Sequence, residues 1–188
     1  MDSRTPPRRT WASGARFIPG LVTRLVPLIL LASLHGCAYS IRNSNLPTYL
    51  RTLAIPVFGN NTVEFGLSDD ITQSLINGFQ ADHSLRIAQE RDANAALRGT
   101  VTAYRNQVFG YTSQERATEY EIVLTVAVTF RDLVKNKDLW KDDALTVRTT
   151  YNVVAVGTGT PAKTEADGRR DVIQKLTDRV VSRTVQGW

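Results

Sequence analysis

The amino-acid sequence predicts an α+β fold in which two amphipathic helices pack on one face of a mainly antiparallel sheet of four to five strands. Apolar and polar residues alternate with a period of two through much of the middle of the chain, which is typical of half-buried strands. Two other segments repeat apolar residues every three to four positions, as amphipathic helices do. The predicted order is β-α-β-β-β-β-α, and helices on one face of the sheet are the simplest way to bury both helical stripes.

The first strand is predicted over residues 52–58, a compact apolar run that ends at a Gly-Asn-Asn turn. Pro56 lies inside this run and has no backbone N–H to donate to a neighbouring strand. Its presence therefore favours a strand at the sheet edge or a bulge.

The first helix is expected to begin at Ser68, whose hydroxyl can cap it. Asp69 and Asp70 then lie in the first turn, at the positive end of the helix dipole. The apolar stripe, which runs to about residue 81, consists of Ile71, Leu75 and Phe79. The spacing of this stripe predicts that one face of the helix is buried.

Four further segments are predicted to be extended. Residues 84–88 and 96–104 come first, and the second of them is rich in β-branched residues. Residues 119–131 alternate strictly between apolar and other side chains, which indicates a half-buried strand. Residues 135–138 have turn chemistry and precede another alternating segment at 145–153, so the two alternating segments are expected to form an antiparallel hairpin.

The last helix is predicted from about Lys163, after a Gly-Thr-Gly-Thr-Pro loop at residues 157–161 that ends the sheet. Its acidic and basic side chains fall on one face. The opposite, core-facing side consists of Val172, Ile173, Leu176, Val180 and Thr184.

The basic excess of the chain lies in its first 36 residues. They hold five of the 23 basic residues and one of the 18 acidic residues, so most of the net charge of +5 belongs to this segment. The remaining chain has nearly balanced charges. It lacks the electrostatic footprint that binding to a phosphate backbone requires, and no nucleic-acid partner is expected.

Residues 1–36 are interpreted as a lipoprotein signal peptide. Five arginines precede an apolar run at residues 25–34, which is shorter than the roughly 20 residues that span a bilayer. The run ends in Leu34-His35-Gly36-Cys37, which resembles the lipobox of bacterial lipoproteins. The Arg8-Arg9 pair leaves the export route, Sec or twin-arginine, open.

Cys37 is the predicted lipidation site, and the resemblance to lipoproteins implies palmitate among its acyl groups. It is the only cysteine, so it cannot form an intramolecular disulfide, although the alternative of a buried or unpaired thiol stays open. Residues 37–50 are then the lipidated N-terminus and tether, and residues 51–188 a single domain. Ala38 follows the cysteine in place of aspartate, which by analogy with lipoproteins favours the outer membrane.

No constellation in the sequence points to catalysis, a metal or a cofactor. His83 is isolated and fits a helix C-terminus, while the neighbouring carboxylates Asp142 and Asp143 point apart. The protein is therefore expected not to be an enzyme. Three lysines, Lys135, Lys137 and Lys141, surround one predicted hairpin and could meet phosphates or acidic sugars, the alternative being a solvated turn.

Several short motifs together resemble one family. They are Cys37 after its leader, residues 53–58 followed by Asn60-Asn61-Thr62, Gly66-Leu67, Thr118-Glu119-Tyr120, Arg131-Asp132-Leu133, Leu139-Trp140 and the closing Gly187-Trp188. In this order they resemble the LPS-assembly lipoprotein family LptE over essentially all of the mature chain. Each motif alone is a plausible core or turn segment, so the resemblance concerns fold and role and names no reactive residue.

The resemblance implies a partner and a location. Members of this family partner an outer-membrane β-barrel of the LptD type, sit partly inside it as a plug and help lipopolysaccharide reach the outer leaflet. The protein would then be lipid-anchored on the periplasmic side of the outer membrane. Lys135, Lys137 and Lys141 are the hypothetical contacts to lipopolysaccharide phosphates.

Two other classes of function remain open at this point. The strand at residues 53–58 followed by asparagine also resembles lipoproteins that regulate periplasmic peptidoglycan synthases or build curli-type secretion pores. A hydrolase is the third class, although no pair of nucleophile and base is visible.

Overall fold

Three long neighbouring strands form the centre of the protein. The computed structural model describes residues 46–155 and 161–187. The predicted signal peptide, Cys37, most of the tether, the loop at 157–160 and Trp188 lie outside the described residues. The elements in chain order are β1 Thr52–Ala54, β2 Gly59–Asn60, α1 Leu67–Asp82, β3 Arg86–Ile87, a 3-10 turn at Glu90–Asp92, β4 Ala95–Tyr111, β5 Ala117–Asp132, β6 Lys137–Asn152 and α2 Glu165–Gln186.

The six strands form one sheet in the order β3-β1-β4-β5-β6, with β2 also beside β4. β4, β5 and β6 pair antiparallel, whereas β1 pairs parallel with β3 and β4, and β2 pairs parallel with β4. The predicted α+β class and element order are confirmed, but the sheet is mixed and has six strands. The parallel pairs arise because α1 is a crossover that returns the chain to the same end of the sheet.

The predicted strand at 52–58 is divided. β1 ends at Ala54, and the chain reaches β2 only at Gly59, because Pro56 cannot donate to a strand ladder and Val57 is exposed. Phe58 turns inward, where its N–H donates to the Thr72 hydroxyl at 3.0 Å. The division creates β2, which the sequence pattern did not predict as a separate strand.

Helix α1 buries its predicted stripe of Ile71, Leu75 and Phe79, each fully inaccessible. Its N-cap is Gly66 with φ 75°, a left-handed conformation that favours glycine, so the prediction of Ser68 as the cap was wrong. Asp69 and Asp70 occupy the first turn as predicted. His83 is the C-cap, and its N–H donates to the Phe79 carbonyl at 3.2 Å.

Helix α2 begins with a reciprocal capping box. The Thr164 hydroxyl accepts from the Asp167 N–H, and the Asp167 carboxylate accepts from the Thr164 N–H. The predicted core-facing side is confirmed, since Val172, Ile173, Leu176, Val180 and Thr184 are all buried. The two helices meet where the hydroxyls of Ser74 and Thr177 lie 2.8 Å apart.

Strand β5 is the first strand of the predicted hairpin and lies between β4 and β6. It confirms the alternation at 119–131. The side chains of one face are buried against the helices: Ile122, Leu124, Val126, Val128 and Phe130. Its turn to β6 uses residues 133–136, with Asn136 at φ 52°. Strand β6 begins at Lys137, inside the predicted turn and eight residues before the predicted strand at 145–153. β4 also continues to Tyr111, well beyond the predicted end at 104.

Candidate functional site

The structure places the three predicted lysines at different points of the β5–β6 hairpin. Lys135 lies in the turn, and its Nζ is 4.7 Å from the centre of the Tyr49 ring. Lys141 forms an ion pair with Asp143 at 2.8 Å, and this contact raises the pKa of the Lys141 ammonium. Lys137 is exposed at the start of β6. Among the described residues, Lys141 is the one lysine of the three with a carboxylate within 4.0 Å.

A register shift in the hairpin separates Lys137 from Lys141. Lys141 lies opposite Thr129 and Lys137 lies opposite Asp132, with an irregularity between Phe130 and Arg131. Cross-strand neighbours share a face, and positions three apart on β5 lie on opposite faces. The two lysines therefore project from opposite faces of the sheet, and the structure does not bring the three ammonium groups together.

The segment before β1 is fastened to this hairpin through Asp132. The Tyr49 hydroxyl donates to Asp132 Oδ2 at 2.5 Å, while the N–H groups of Val134 and Lys135 donate to Oδ1 at 2.8 and 2.9 Å. Burial on its own raises the pKa of the Asp132 carboxyl. These donated hydrogen bonds outweigh burial and leave the pKa below its ordinary value of 3.8.

A basic groove lies between helix α2 and the edge strand β6. It is an open cleft of about 850 Å³. Its lining contains four cations and a single carboxylate. The lining residues are Thr146, Val147, Arg148, Lys175, Asp178, Arg179, Ser182, Arg183, Gln186 and Gly187. This cleft is called the α2–β6 groove below.

Two cations of the α2–β6 groove, Lys175 and Arg179, form hydrogen bonds to strand β6. Lys175 Nζ donates to the Arg148 carbonyl at 3.2 Å and to Thr149 Oγ1 at 3.1 Å. Arg179 Nη1 donates to the Thr146 carbonyl at 3.0 Å. These carbonyls lie on the outer edge of β6, so the helix covers part of an edge that would otherwise be open to another strand.

One end of the groove is closed by an ion pair. Arg183 Nη1 lies 2.6 Å from Asp142 Oδ2, and the guanidinium stacks over the Trp140 ring at 4.9 Å from its centre. The hydrogen bond to Arg183 and one from the Ala144 N–H lower the pKa of Asp142, although burial, the largest influence, opposes them. Asp142 therefore stays ionised and neutralises Arg183.

Sequence reasoning missed this groove because its cations are far apart in the chain. Arg148 is on a strand, and Lys175 and Arg179 are on the polar face of a helix, where charged residues are expected in any case. The spacing of four residues between Lys175 and Arg179 was the available signal, because it places both on one side of the helix.

A second surface lies along the distal half of β4. In the described chain, β4 has strand partners on its β1–β2 side only as far as Val101, so residues 102–111 have a free edge. Phe109 and Tyr111 are more than half exposed there. Unpaired strand edges with exposed apolar side chains are typical of contact surfaces.

The loop after β2 carries further exposed apolar side chains. β2 is parallel to β4, and Asn61 N–H donates to the Val101 carbonyl, so the loop continues in the direction of the free edge. Phe65 in this loop is 93% exposed, and Val63 is similarly exposed. An ion pair of 2.8 Å between Arg169 and Glu64 fastens the loop to α2. The free edge of β4 with Val63, Phe65, Phe109 and Tyr111 is called the apolar end below.

The described residues contain no group of three or more His, Cys, Asp or Glu side chains that could hold a metal ion. Within the same residues, no helix is both long enough and apolar enough to cross a bilayer. Asp142 and Asp143 engage different cations, Arg183 and Lys141, and do not form a pair.

Fold and surfaces together define a class of protein: a small α+β domain with two helices on one face of a mixed sheet and with charged and apolar contact surfaces. The chain belongs to the LptE family, described as lipopolysaccharide-assembly, whose family model matches residues 50–184. LptE is a family of non-enzymatic assembly lipoproteins. The resemblance seen in the sequence motifs is thus confirmed. No curated protein sequence matches the chain.

Solved structures share this fold. A protein from Xanthomonas campestris, described with the family model DUF330, has a TM-score of 0.53 at 11% identity, covering 77% of this chain and 89% of its own. A hypothetical protein from Chlamydia trachomatis has a TM-score of 0.50 at 10% identity, covering 71% and 94%. A minor lipoprotein from Acinetobacter baumannii has 21% identity and a TM-score of 0.48, covering 73% and 92%. The first two comparisons support the fold assignment.

Proposed function

We propose that this protein is an outer-membrane lipoprotein that partners an LptD-type β-barrel as plug and assembly factor in the transport of lipopolysaccharide to the outer leaflet. The observation that carries the proposal is membership of the lipopolysaccharide-assembly family over residues 50–184. The lipobox-like sequence ending in Cys37 adds a means of attachment.

The proposed anchor is a set of acyl chains on Cys37, after removal of residues 1–36. One chain contributes roughly 0.8 kcal/mol per buried CH₂ and holds a protein only marginally, so stable attachment needs more than one chain. Residues 37–50 would then be the tether and residues 51–188 the domain. The chain from Cys37 to Leu46 spans at most about 30 Å, which keeps the domain near the periplasmic surface of the membrane.

The proposed mechanism is non-covalent. The anchor raises the effective concentration of the domain beside the barrel, and a rigid sheet with polar side chains suits a wide polar lumen. The apolar end is the surface of this chain best suited to contact the barrel. Its exposed Phe65 and Phe109 offer aromatic groups of the kind that dominate protein interfaces.

Lys135, Lys137 and Lys141 are proposed contacts to lipopolysaccharide phosphates. All three are on the exposed surface of one hairpin. Replacing the three with glutamate should weaken lipopolysaccharide binding and leave assembly of the barrel intact. Unchanged binding would remove these lysines from the mechanism.

The partnership can be tested by isolating the detergent-solubilised lipoprotein from envelope fractions and identifying co-purifying proteins by mass spectrometry. We expect a β-barrel of the LptD type. A Phe65→Ser/Phe109→Ser variant should recover less barrel. Val134→Ser changes an apolar residue on the β5–β6 turn that is as exposed as Phe109, and it should recover the normal amount. Recovery of a peptidoglycan synthase or of a self-assembled ring in place of the barrel would contradict the proposal.

The anchor is tested separately with Cys37→Ser. We expect this variant to keep its leader and to lose the mass of the acyl chains, and the processed wild-type protein to remain in the outer-membrane fraction. Isolation of the wild-type protein with a free Cys37 thiol and an intact leader would disprove the lipidation.

A further inference from the structure

We infer that the end of the domain beside the tether docks on the phospholipid headgroups of the membrane that holds the anchor. The anchor rests on the proposed function, whereas the docking surface rests on the contacts of this chain. This surface, called the anchor-side end below, consists of Arg51, Arg86, Val134, Lys135 and Lys137, which are all exposed. Docking there sets which end of the domain points away from the membrane.

The tether meets the domain at the β5–β6 turn. The Tyr49 hydroxyl donates to Asp132 at 2.5 Å, and Lys135 Nζ lies 4.7 Å from the centre of the Tyr49 ring. The described chain begins at Leu46, only three residues earlier, and therefore within about 10 Å of Tyr49. The proposed anchor at Cys37 is thus joined to the domain beside this turn and not at the opposite end of the sheet.

Four cations lie in a row across the same end of the sheet. The pairing of β3, β1, β4 and β5 places Arg86, Arg51 and the β5–β6 turn at one end. The turn adds Lys135, and Lys137 follows at the start of β6, opposite Asp132. Neighbouring strands lie about 4.8 Å apart, so the row is roughly 20 Å long. It can therefore meet several headgroups at once.

The carboxylates near this row have other partners. The ion pairs are Asp92 with Arg91, Asp138 with Arg131 and Glu90 with Arg98. Asp132 accepts from the Tyr49 hydroxyl and from two N–H groups of the turn. Within the described residues, none of the four cations has a carboxylate within 4.0 Å. At an anionic membrane surface, each such cation strengthens attachment about fivefold.

An exposed apolar side chain lies within the row. Val134 is 61% exposed and directly precedes Lys135. The N–H groups of both residues donate to Asp132, and Asn136 is left-handed at φ 52°, so the turn has a defined conformation. Lysines can reach headgroup phosphates while an apolar neighbour enters the boundary with the acyl chains. The turn therefore has the composition of a membrane-surface contact.

The opposite end of the sheet suits an anionic membrane less well. β4 extends over 17 residues, roughly 50 Å, from the anchor-side end to Tyr111. Near the exposed Phe109 and Tyr111, Glu115 and Glu119 outnumber Arg116. Anionic headgroups repel this excess of carboxylate. Docking through the anchor-side end leaves the apolar end free for the barrel.

The test measures which end of the acylated protein lies at the membrane. The mature lipoprotein is reconstituted in vesicles of phosphatidylethanolamine and phosphatidylglycerol, with a headgroup-labelled quencher lipid and without lipopolysaccharide. Because Cys37 carries the acyl chains, Thr48→Cys or Ser113→Cys provides the single free thiol for a fluorophore. Thr48 is exposed beside the anchor-side end, and Ser113 is exposed in the β4–β5 turn at the opposite end.

We expect several-fold stronger quenching at position 48 than at position 113, because the two ends of the sheet are about 50 Å apart. Omitting phosphatidylglycerol or raising the salt concentration should weaken quenching at position 48, since both reduce attraction of the cations. Equal quenching at the two positions, or stronger quenching at position 113, would overturn the inference.

Charge reversal separates docking from the effect of the tether, which by itself keeps position 48 near the membrane. Lys135→Glu/Lys137→Glu is the docking variant. Its matched control, Arg105→Glu/Arg116→Glu, makes the same change of charge at exposed sites towards the opposite end. We expect the docking variant to shift the equilibrium from docked to undocked by about tenfold or more. The control and Lys135→Arg/Lys137→Arg should behave as wild type, and unchanged quenching in the docking variant would overturn the inference.

Folding and the identity of the lipid are checked in the same samples. Circular dichroism should be unchanged in every variant. Val134→Ser keeps all charges and should also weaken quenching at position 48, by less than charge reversal does. Quenching at position 48 that requires added lipopolysaccharide would reassign Lys135 and Lys137 to that glycolipid and overturn the choice of phospholipid.

Co-purification of the barrel and the mass of the acylated protein are measured on the same preparations. An acylated, barrel-bound protein without specific quenching at position 48 would refute the docking and leave the proposed function. Charge-dependent quenching at position 48 in a protein that recovers no barrel would refute the partnership and leave the docking. Both results together with the expected variants support the orientation and the proposed function.

Discussion

The aromatic ring of Phe58 occupies the space that a side chain at position 99 would need. A Cβ atom on Gly99 would lie 2.2 Å from Phe58 Cε1, and Phe58 itself is buried. Glycine is therefore required here for the close approach of a ring to strand β4. It is the residue that lets the chain between β1 and β2 fold back onto the sheet.

Gly99→Ala should lower the free energy of unfolding by about 1 to 3 kcal/mol, because the buried ring must leave its rotamer or push the strand away. Urea denaturation followed by circular dichroism measures the change. In the double variant Phe58→Leu/Gly99→Ala, the cost of the alanine should be smaller, since the ring it strikes is absent. Strict additivity of the two single changes would show that the contact is not the cause.

Asp132 couples stability to pH. Its carboxylate accepts from Tyr49 and from two N–H groups of the hairpin turn, and its pKa is lowered below 3.8 in the folded protein. A lowered pKa contributes stability above the unfolded value, and this contribution is lost as the pH falls through the folded value. The wild-type protein should therefore lose stability below about pH 4.

Asp132→Asn should make this fall in stability at low pH, the acidic limb, less steep and should reduce stability near neutral pH. Part of the limb should remain, because the pKa values of Asp142 and Asp167 are also lowered in the folded protein. Urea midpoints between about pH 2.5 and 7 for both proteins give the comparison. Asp69→Asn, which changes an exposed carboxylate in the first turn of α1, serves as the control and should keep the acidic limb. An acidic limb of equal steepness in wild type and Asp132→Asn would show that other groups produce it.

At the level of the elements, the capping box of Thr164 and Asp167 determines where helix α2 begins. Thr164→Ala removes the hydroxyl, which accepts from the Asp167 N–H and donates to the Asp167 carboxylate. We expect a loss of about 1 kcal/mol in the free energy of unfolding, measured by thermal denaturation. Thr164→Ser keeps the hydroxyl and should be nearly neutral, whereas equal losses in both variants would assign the effect to the threonine methyl group.

Periodicity was sufficient to predict the long elements. In α1, α2 and β5, apolar residues occupy the side that faces the core. The sequence of each segment alone therefore reveals its periodicity and its type of secondary structure. The short elements depend on other segments. β1 stops early because of Pro56. It pairs with β3 and β4 in parallel because α1 returns the chain to the same end of the sheet, and an alternation pattern does not predict that path.

The N-cap of α1 also depends on a segment that is distant in sequence. Ser68 has the chemistry of an N-cap, yet the chain enters the helix from a loop held by the ion pair of Glu64 and Arg169. That entry requires a residue in the left-handed conformation two positions before Ser68. Gly66 adopts this conformation at low conformational cost. The competing geometry comes from α2, about a hundred residues later, so residue chemistry near Ser68 could not reveal it.

For the whole molecule, the binding surfaces were the least predictable feature. The three lysines are close in sequence, but a register shift near Leu139 sends Lys137 and Lys141 to opposite faces. The lining of the α2–β6 groove comes from two elements that are distant in sequence, and it exists only because α2 packs along the edge of β6. Lipidation of Cys37 is a chemical signal in the sequence itself and stays a prediction, because Cys37 lies outside the described residues.

The segment between the tether and β1 stabilises the domain. Leu50 is 4% exposed, and Tyr49 donates to Asp132, so the segment before β1 contributes to the core of the domain. A chain that begins at Leu46 keeps both contacts, and one that begins at Arg51 loses them. Losing the burial of one leucine and one hydrogen bond to a buried carboxylate should cost about 3 kcal/mol.

Urea denaturation of the two truncated chains beside the mature protein measures this difference. We expect the chain from Leu46 to match the mature protein, because the contacts of the domain with its own N-terminal segment are complete. The chain from Arg51 should unfold at lower urea and lose its acidic limb in part, since Asp132 then lacks the Tyr49 donor. Equal stability of both truncated chains would show that residues 46–50 act as tether only and that the hairpin alone holds Asp132.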